Sequence, residues 1–191
     1  MSFTKIPSKE VIDKTVSALK ANGINVYVSK NKEDAKSKVL DLLPNEAEVM
    51  AMTSVTLQEL GIKDEIENSD KYSLIKKKLE KMDRKTQHLE MQKLGAAPEY
   101  SIGSVHAVTQ DGKVLIASNT GSQLPSYAYG SSHIIWVVGM QKIVKDLDEA
   151  FKRLYEHSLP LESERAKKAY GVPGSFISKI LILNREINHG R

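Results

Sequence analysis

Residues 103–130, GSVHAVTQDGKVLIASNTGSQLPSYAYG, decide the fold that we expect for this chain. Two apolar runs flank Asp111-Gly112, a dipeptide that favours the tight turn of a β-hairpin. The polar loop 119–123 follows the second run and leads into a predicted helix over 122–130. The stretch therefore predicts a strand, a turn, a second strand, a loop and a helix, in that order.

The loop 119–123 is a candidate anion site. A polar loop between a strand end and a helix start exposes backbone N–H groups and hydroxyls where the helix dipole favours negative charge. Proteins of the α/β class commonly hold their ligands at such junctions. The alternative is a glycine turn with a serine N-cap, which any crossing from strand to helix needs. The candidate ligand-binding residues of this loop are Asn119, Thr120, Gly121, Ser122 and Gln123.

A second junction of the same kind lies earlier in the chain. The apolar run 49–52 predicts a buried parallel strand. Thr53, Ser54 and Thr56 follow it at the start of a short predicted helix and are further candidate ligand-binding residues. Helix capping by Ser54 is a sufficient alternative explanation. Because strand ends in an open α/β sheet meet at one edge, we expect the two loops to face a single crevice.

Apolar strand-like runs alternate with helical patterns along the chain. Short strands are expected at 24–28 and 134–138, and a last strand at 180–183 is expected to insert into the sheet. A helix from Leu147 is expected to end before Pro160, since proline disrupts a helix interior. The alternation predicts an α/β protein with an open, mixed, largely parallel sheet and flanking helices.

The length of the chain fits one domain. A chain of 191 residues suits a single α/β domain over 1–191. The segment 62–93 is expected to be a charged helical excursion from that domain. Within it, apolar residues at helical spacing from Ile75 predict a helix that continues through Leu89.

Composition and missing motifs exclude several classes of function. The chain has no cysteine, which excludes disulfides, a thiol nucleophile and cysteine-ligated iron–sulfur or zinc sites within it. No phosphate-loop, dinucleotide-binding, nucleophile-elbow or zinc-protease motif occurs, so no metal site is expected. The apolar runs are too short for a membrane span, and the first residues lack the apolar segment of a secretory signal. We therefore expect a cytoplasmic protein.

The net charge of +4 is mild, but its distribution is uneven. The segment 71–85 carries seven basic and two acidic residues. One interpretation is a solvated helix face, and the other is a docking patch for an acidic partner. No recognition-helix pattern follows, so nucleic-acid binding is not predicted.

Several long motifs together resemble a known family. The sequence from Gly103 to Gly171, the segment KILILNRE at 179–186 and the segment MAMTSVTLQELG at 50–61 carry the resemblance. They resemble the LUD domain family of lactate utilization proteins, and within it the members similar to lactate utilization protein C. The resemblance spans the chain from about residue 8.

The resemblance implies the fold shared with ribose-phosphate isomerases, CoA transferases and formyltetrahydrofolate cyclo-ligases. It also implies a role in the oxidation of L-lactate to pyruvate, beside partner subunits that carry iron–sulfur clusters. Longer family members fuse this domain to ferredoxin-like cysteine motifs, which this sequence lacks. No cofactor is therefore expected in this chain, and iron–sulfur clusters are expected only in partner subunits. The alternative is a stand-alone enzyme or sensor that binds a phosphorylated or CoA-like ligand.

Four further side chains are candidates for the site. Lys142 follows an apolar strand and offers a cation to the same anion, with an exposed loop lysine as the alternative. Arg185 ends the last predicted strand and offers a planar fork to a carboxylate, with a surface ion pair as the alternative. Glu186 and His106 are weak candidates for acid–base chemistry, and a structural role is the alternative for His106.

Overall fold

The computed structural model describes residues 3–187, which form two compact units. The terminal unit comprises residues 3–26, 105–121 and 139–187. The central unit comprises residues 27–104 and 122–138. The prediction of a single domain over the whole chain stays a prediction.

The helices and strands are short and follow one another closely along the chain. The α-helices are α1 Lys9–Ala21, α2 Lys32–Asp41, α3 Val55–Glu59, α4 Ile62–Glu67, α5 Ile75–Glu80, α6 His88–Ala96, α7 Leu147–Arg153 and α8 Leu159–Tyr170. The strands are β1 Glu48–Ala51, β2 Ser73–Leu74, β3 Tyr100–Gly103, β4 Ala107–Thr109, β5 Val114–Ser118, β6 His133–Trp136, β7 Ile143–Val144 and β8 Lys179–Leu183. Two π-helical turns, Ser126–Gly130 and Leu154–Ser158, and one 3-10 turn, Met140–Lys142, complete the set.

The central unit is built on a parallel sheet of four strands in the order β2-β1-β3-β6. Strand β3, one of its two inner strands, is buried on both faces, as expected for a parallel strand. Helices α2, α3 and α4 pack their apolar residues on β1 and β3 to form one core, which includes Val39, Leu57, Ile66, Val49 and Ile102. The carboxyl ends of β1, β3 and β6 therefore lie at one edge of the sheet.

The terminal unit is built on a mixed sheet of four strands in the order β7-β4-β5-β8. Strands β4 and β5 form the predicted hairpin, and Gly112 adopts the left-handed φ of 81° that its turn requires. Strand β8 pairs antiparallel with β5 along its whole length, so the predicted last strand does join the sheet. The end of α1 is tied to the hairpin, because Asn22 Nδ2 donates to the carbonyl oxygens of Asp111 and Gly112 at 3.0 and 3.1 Å.

The predicted α/β class with mixed, largely parallel pairing is confirmed, although the strands lie in two sheets. The predicted strand at 24–28 is wrong, since no strand is assigned there. The amide of Ile24 instead bonds the carbonyl of Leu19 at 3.0 Å and closes the end of α1.

The predicted continuous helix from Ile75 through Leu89 is also wrong, because α5 ends at Glu80. The carboxylate of Asp83 accepts hydrogen bonds from the amide of Lys85 at 2.9 Å and from Thr86 Oγ1 at 3.0 Å. A side chain that bonds nearby backbone in this way competes with the helical hydrogen bonds. The charged excursion at 62–93 is accordingly a series of short helices interrupted by strand β2.

Pro160 does not end the helix that begins at Leu147, contrary to the sequence prediction. The chain continues from α7 through the π turn at Leu154–Ser158 into α8, with Pro160 in the first turn of α8. A proline inside an α-helix clashes with the carbonyl four residues before it and lacks an amide to bond that carbonyl. That carbonyl belongs to Glu156, which lies in the wider π turn. The π turn therefore accommodates the proline without breaking the helical rod.

Gly23 and Gly171 provide a matched test of how α1 is joined to the segment after β8. Both have left-handed φ, 83° and 67°, and alanine is strained there by about 1–2 kcal/mol. A Cβ on Gly23 would lie 2.1 Å from the carbonyl oxygen of Glu186, whereas a Cβ on Gly171 would meet nothing within 4 Å. We expect Gly23→Ala to lower the free energy of unfolding by about 1–3 kcal/mol more than Gly171→Ala does, as measured by urea denaturation. Equal losses of unfolding free energy in the two variants would show that the backbone of Glu186 shifts at no cost to accommodate the new Cβ.

Candidate functional site

Arg153 is a buried cation in the terminal unit. The residue ends α7 and is only 4% exposed. Its Nη1 donates to the carbonyl oxygen of His106 at 2.6 Å and to Ser158 Oγ at 2.9 Å. Its Nε is buried and has no hydrogen-bond acceptor among residues 3–187, and no carboxylate of that range is within ion-pair distance of the guanidinium. Burial lowers the pKa of Arg153 to about 10, so the side chain stays positively charged at neutral pH.

The local sequence explains how Arg153 is held. Helix α7 begins at an N-cap in which the carboxylate of Asp146 accepts a hydrogen bond from the amide of Glu149 at 3.0 Å. The π turn that follows Arg153 ends at Ser158, and the wider turn brings the Ser158 hydroxyl to the guanidinium. Such π turns occur frequently at functional sites.

Lys142 lies close to this arrangement. It ends the 3-10 turn, and its Nζ donates to the carbonyl oxygen of Val105 at 3.0 Å in a partly buried position. Lys142 and Arg153 are thus held by the carbonyl oxygens of two consecutive residues, Val105 and His106, just before β4.

The His106 side chain lies near both cations, whose charges act on its ring. Its Nδ1 accepts a hydrogen bond from the amide of Ala117 at 3.1 Å. Burial, together with the charges of Lys142 and Arg153, lowers the pKa of His106 to about 4. The ring is therefore neutral at pH 7, and because Nδ1 is an acceptor, its proton is on Nε2. Nε2 makes no hydrogen bond with any residue of the described range, and the side chain is partly exposed.

We refer to Arg153, Lys142 and His106 as the Arg153 cluster. A nearby acid, Glu162, acts to raise the pKa of His106, but its effect is smaller than those of burial, Lys142 and Arg153. Its two carboxylate oxygens accept hydrogen bonds from Arg165 at 2.6 and 2.7 Å. Buried charges are normally paired, and a buried donor without an acceptor costs free energy. The cluster offers two positive charges and a neutral N–H donor, which is the chemistry that binds a small anion.

Lys142 and His106 are separate candidates in the sequence, and the structure places the charge of Lys142 near the His106 ring. Neither Arg153 nor Ser158 is indicated as a site residue by the sequence pattern. An arginine in the last turn of an amphipathic helix resembles an ordinary surface cation in sequence. The available signal was Pro160, because a proline within a helical pattern indicates an irregular turn nearby.

The first half of the predicted anion loop is held by Ser178 and by Lys179, the first residue of β8. Asn119 Oδ1 accepts a hydrogen bond from Ser178 Oγ at 3.0 Å, and the carbonyl oxygen of Thr120 accepts one from Lys179 Nζ at 3.0 Å. Both loop residues are exposed. These contacts fix the loop on the edge strand, and ligand binding by Asn119 and Thr120 stays a prediction.

The rest of the loop forms a turn. Gly121 has a φ of 86°, and its amide donates to Ser118 Oγ at 2.9 Å. That amide is therefore already bonded within the protein. The carbonyl of Gln123 accepts a hydrogen bond from Ser126 Oγ at 2.8 Å, and Ser122 is exposed. Ligand contacts by Gly121, Ser122 and Gln123 stay predictions.

The second predicted loop lies in the central unit, at the carboxyl end of β1. Ser54 Oγ accepts a hydrogen bond from the amide of Leu57 at 3.4 Å and caps the five residues of α3. Thr53 is exposed and Thr56 is partly exposed. The capping interpretation of Ser54 is thus realised, and the expected convergence of the two loops on one crevice stays a prediction.

Arg185 and Glu186 follow β8 in the terminal unit. Arg185 is exposed. The amide of Glu186 donates to the carbonyl of Asn22 at 2.7 Å, and its Oε1 accepts from the amide of Ile187 at 2.9 Å. The segment is therefore packed against the end of α1, and the predicted roles of both side chains stay predictions.

Two further observations concern metal binding and membrane spanning. Across residues 3–187, no three histidine, aspartate or glutamate side chains are grouped closely enough to hold a metal ion. Within the same range, the helices are too short or too polar to cross a lipid bilayer.

The neutral state of His106 gives a prediction about pH. Its folded pKa of about 4 lies below the ordinary value of 6.5, so the stabilisation is present above about pH 6.5 and is lost as the pH falls towards 4. We expect the free energy of unfolding of the native protein to fall by roughly 3 kcal/mol more than that of His106→Gln between about pH 7 and pH 4. Urea denaturation of both proteins at several pH values between about 7 and 4 measures this difference in the free energy of unfolding. Parallel pH profiles for the two proteins would contradict a buried, neutral ring.

Comparison with known proteins identifies the family. A family model described as the LUD domain matches residues 12–186 and so covers most of the chain. No curated protein and no solved structure matches the chain. The match includes both predicted loops, the hairpin and the Arg153 cluster. The chain therefore belongs to the LUD domain family.

Proposed function

We propose that this chain is an accessory subunit of L-lactate utilization that binds a small carboxylate at the Arg153 cluster, beside a partner that carries iron–sulfur clusters. The LUD domain family is associated with lactate utilization proteins in general. The observation that carries the proposal is the guanidinium of Arg153, which is buried without a carboxylate partner within residues 3–187. A bound carboxylate would supply the missing negative charge.

The energetics favour an anion at this position. A buried cation loses most of its hydration, and the protein recovers part of that loss through the hydrogen bonds to His106 and Ser158. A hydrogen bond between charged groups contributes about 1.5–3 kcal/mol. A carboxylate bonded to Arg153 and close to Lys142 would therefore bind with useful affinity, even though both ligand and site must be desolvated.

The redox chemistry requires a partner. Oxidation of L-lactate to pyruvate breaks the C2–H and O–H bonds and releases two electrons and two protons. This chain has no cysteine to hold an iron–sulfur cluster. The electron acceptor in the proposed function is therefore a cluster of the partner subunit, and the role of this chain is to bind and orient the carboxylate.

A docking surface for that partner is proposed on the basic segment 71–85. Two of its lysines are neutralised, since Lys76 pairs with Glu67 at 3.0 Å and Lys78 pairs with Glu48 at 2.7 Å. Lys77 and the cations of residues 81–85 are exposed. The remaining positive charge on this surface would attract an acidic partner.

A second function is favoured by one feature of the same cluster. Two cations held by the consecutive residues Val105 and His106 can balance the double negative charge of a phosphate monoester as well as a single carboxylate. A stand-alone enzyme or sensor for a phosphorylated or CoA-like ligand is therefore the alternative.

Ligand binding can be tested by thermal denaturation with L-lactate, pyruvate, inorganic phosphate and coenzyme A. A ligand that binds the native state raises the melting temperature by mass action. We expect pyruvate or L-lactate to raise it for the native protein and not for Arg153→Gln. The matched control is Lys152→Gln, which removes one positive charge from the adjacent, exposed position and is expected to keep the ligand response.

Other outcomes of this screen separate the candidates. A response only to phosphate or coenzyme A would favour the alternative function. A response that survives Arg153→Gln but is lost in the Thr120→Ala, Ser122→Ala double variant would place the anion site at the loop and reject the Arg153 cluster. No response from any ligand would reject ligand binding by the isolated chain.

The docking surface gives a separate prediction. We expect the Lys77→Glu, Lys81→Glu double variant to lose co-purification with an iron-containing partner from the native host, because acidic surfaces would then repel each other. The free energy of unfolding should change by less than about 0.5 kcal/mol, since both side chains are exposed. The control, Lys9→Glu with Lys152→Glu, makes the same change of charge elsewhere on exposed positions. Unchanged co-purification of the first variant would reject this surface.

A further inference from the structure

The Nε2–H group of His106 is a hydrogen-bond donor that the protein orients but does not use. The ring is fixed through Nδ1, which accepts from the amide of Ala117 in β5. No residue between 3 and 187 provides an acceptor for Nε2. The side chain is partly exposed, so a small molecule can reach it.

The tautomer is determined by the fold. An amide donor on Nδ1 excludes a proton there, and a neutral ring then carries its proton on Nε2. The antiparallel register of β4 and β5 places the Ala117 amide against this ring, because Ala107 pairs with Leu115. The donor is therefore preset before any ligand arrives, and no reorientation is needed for binding.

The three groups of the cluster differ in what they recognise. Arg153 and Lys142 are cations and interact with the full negative charge of a ligand. His106 is a neutral donor, held neutral by burial and by the two adjacent cations. A neutral N–H adjacent to an anion site suits a second, uncharged oxygen of the same ligand, such as a hydroxyl or a ketone.

We propose that His106 is the specificity-determining residue of this site and that its Nε2–H donates to the oxygen on C2 of a 2-hydroxy or 2-oxo carboxylate, whose carboxylate group is bound by Arg153 and Lys142. This inference rests on the proposed function of the cluster as a carboxylate site. It adds a selection rule, since a carboxylate without an oxygen on C2 offers no acceptor to the oriented Nε2–H donor.

The rule is tested by comparing pyruvate and L-lactate with propionate, which has the same carbon chain and charge but no oxygen on C2. Binding to the full chain is measured by calorimetry. We expect pyruvate or L-lactate to bind at least about tenfold more tightly than propionate, as one hydrogen bond allows. This preference should disappear in His106→Leu, and His106→Gln, which retains an N–H donor, should restore part of it. His157→Leu is the matched control, because His157 lies in the adjacent π turn and is partly exposed.

A spectroscopic measurement keeps the test independent of how the variants fold. In the native protein with isotope-labelled histidine, the ring nitrogens of His106 should report a protonated Nε2 and an unprotonated Nδ1. Adding pyruvate should shift the Nε2–H resonance strongly, and adding propionate should shift it little. A proton on Nδ1, or equal shifts with the two ligands, would overturn the inference.

The outcomes distinguish this inference from the proposed function. Equal affinities for pyruvate and propionate, both lost in Arg153→Gln, would reject the role of His106 and retain the carboxylate site. Absence of binding by every carboxylate would reject the site itself and the inference with it. A preference that persists in His106→Leu would assign selection to another residue and also overturn the inference.

Discussion

The hydrogen bond from the Arg153 guanidinium to the carbonyl oxygen of His106 is the interaction on which the terminal unit's candidate site depends. At 2.6 Å it joins the end of α7 to the residue just before β4. The guanidinium is almost fully buried and lacks an acidic partner in the described chain. Proteins usually avoid such an arrangement, because a buried charge that is not neutralised is destabilising. Its presence is explained if the neutralising group is a ligand.

The backbone is irregular on both sides of this hydrogen bond, and the irregular segments bring polar groups to Arg153 and His106. The π turn at Leu154–Ser158 accommodates Pro160 and carries the Ser158 hydroxyl to Arg153. On the other side, the amide of Ala117 donates to Nδ1 of His106, which lies just before β4. Local departures from regular helix and sheet thus create polar contacts that a regular structure would not provide. Carboxylate binding and selection for an oxygen on C2 would use these same contacts.

Ion pairing and burial in the structure change where the positive charge of the sequence has its strongest effect. The basic segment 71–85 has a large local charge in sequence, but Glu67 and Glu48 neutralise part of it. These acids lie outside the segment, so a local charge count overstates the field that a partner would experience. Conversely, Arg153, which is buried, and Lys142, which is partly buried, lie in a part of the sequence that is nearly neutral overall. Burial, rather than the number of charges, makes the Arg153 cluster electrostatically strong.

The sequence by itself determined the α/β class, the hairpin at Asp111-Gly112 and the helix cap at Ser54. These features depend on residues that are close in the chain, through turn geometry, backbone conformation and hydrophobic spacing. The sequence also singled out Lys142 and His106, but as separate candidates. Only the tertiary structure decided that the strands form two sheets, that the helix continues past Pro160, and that Arg153 meets His106. Those outcomes depend on strand pairing and on burial of groups 47 residues apart, and neither is encoded in any local pattern.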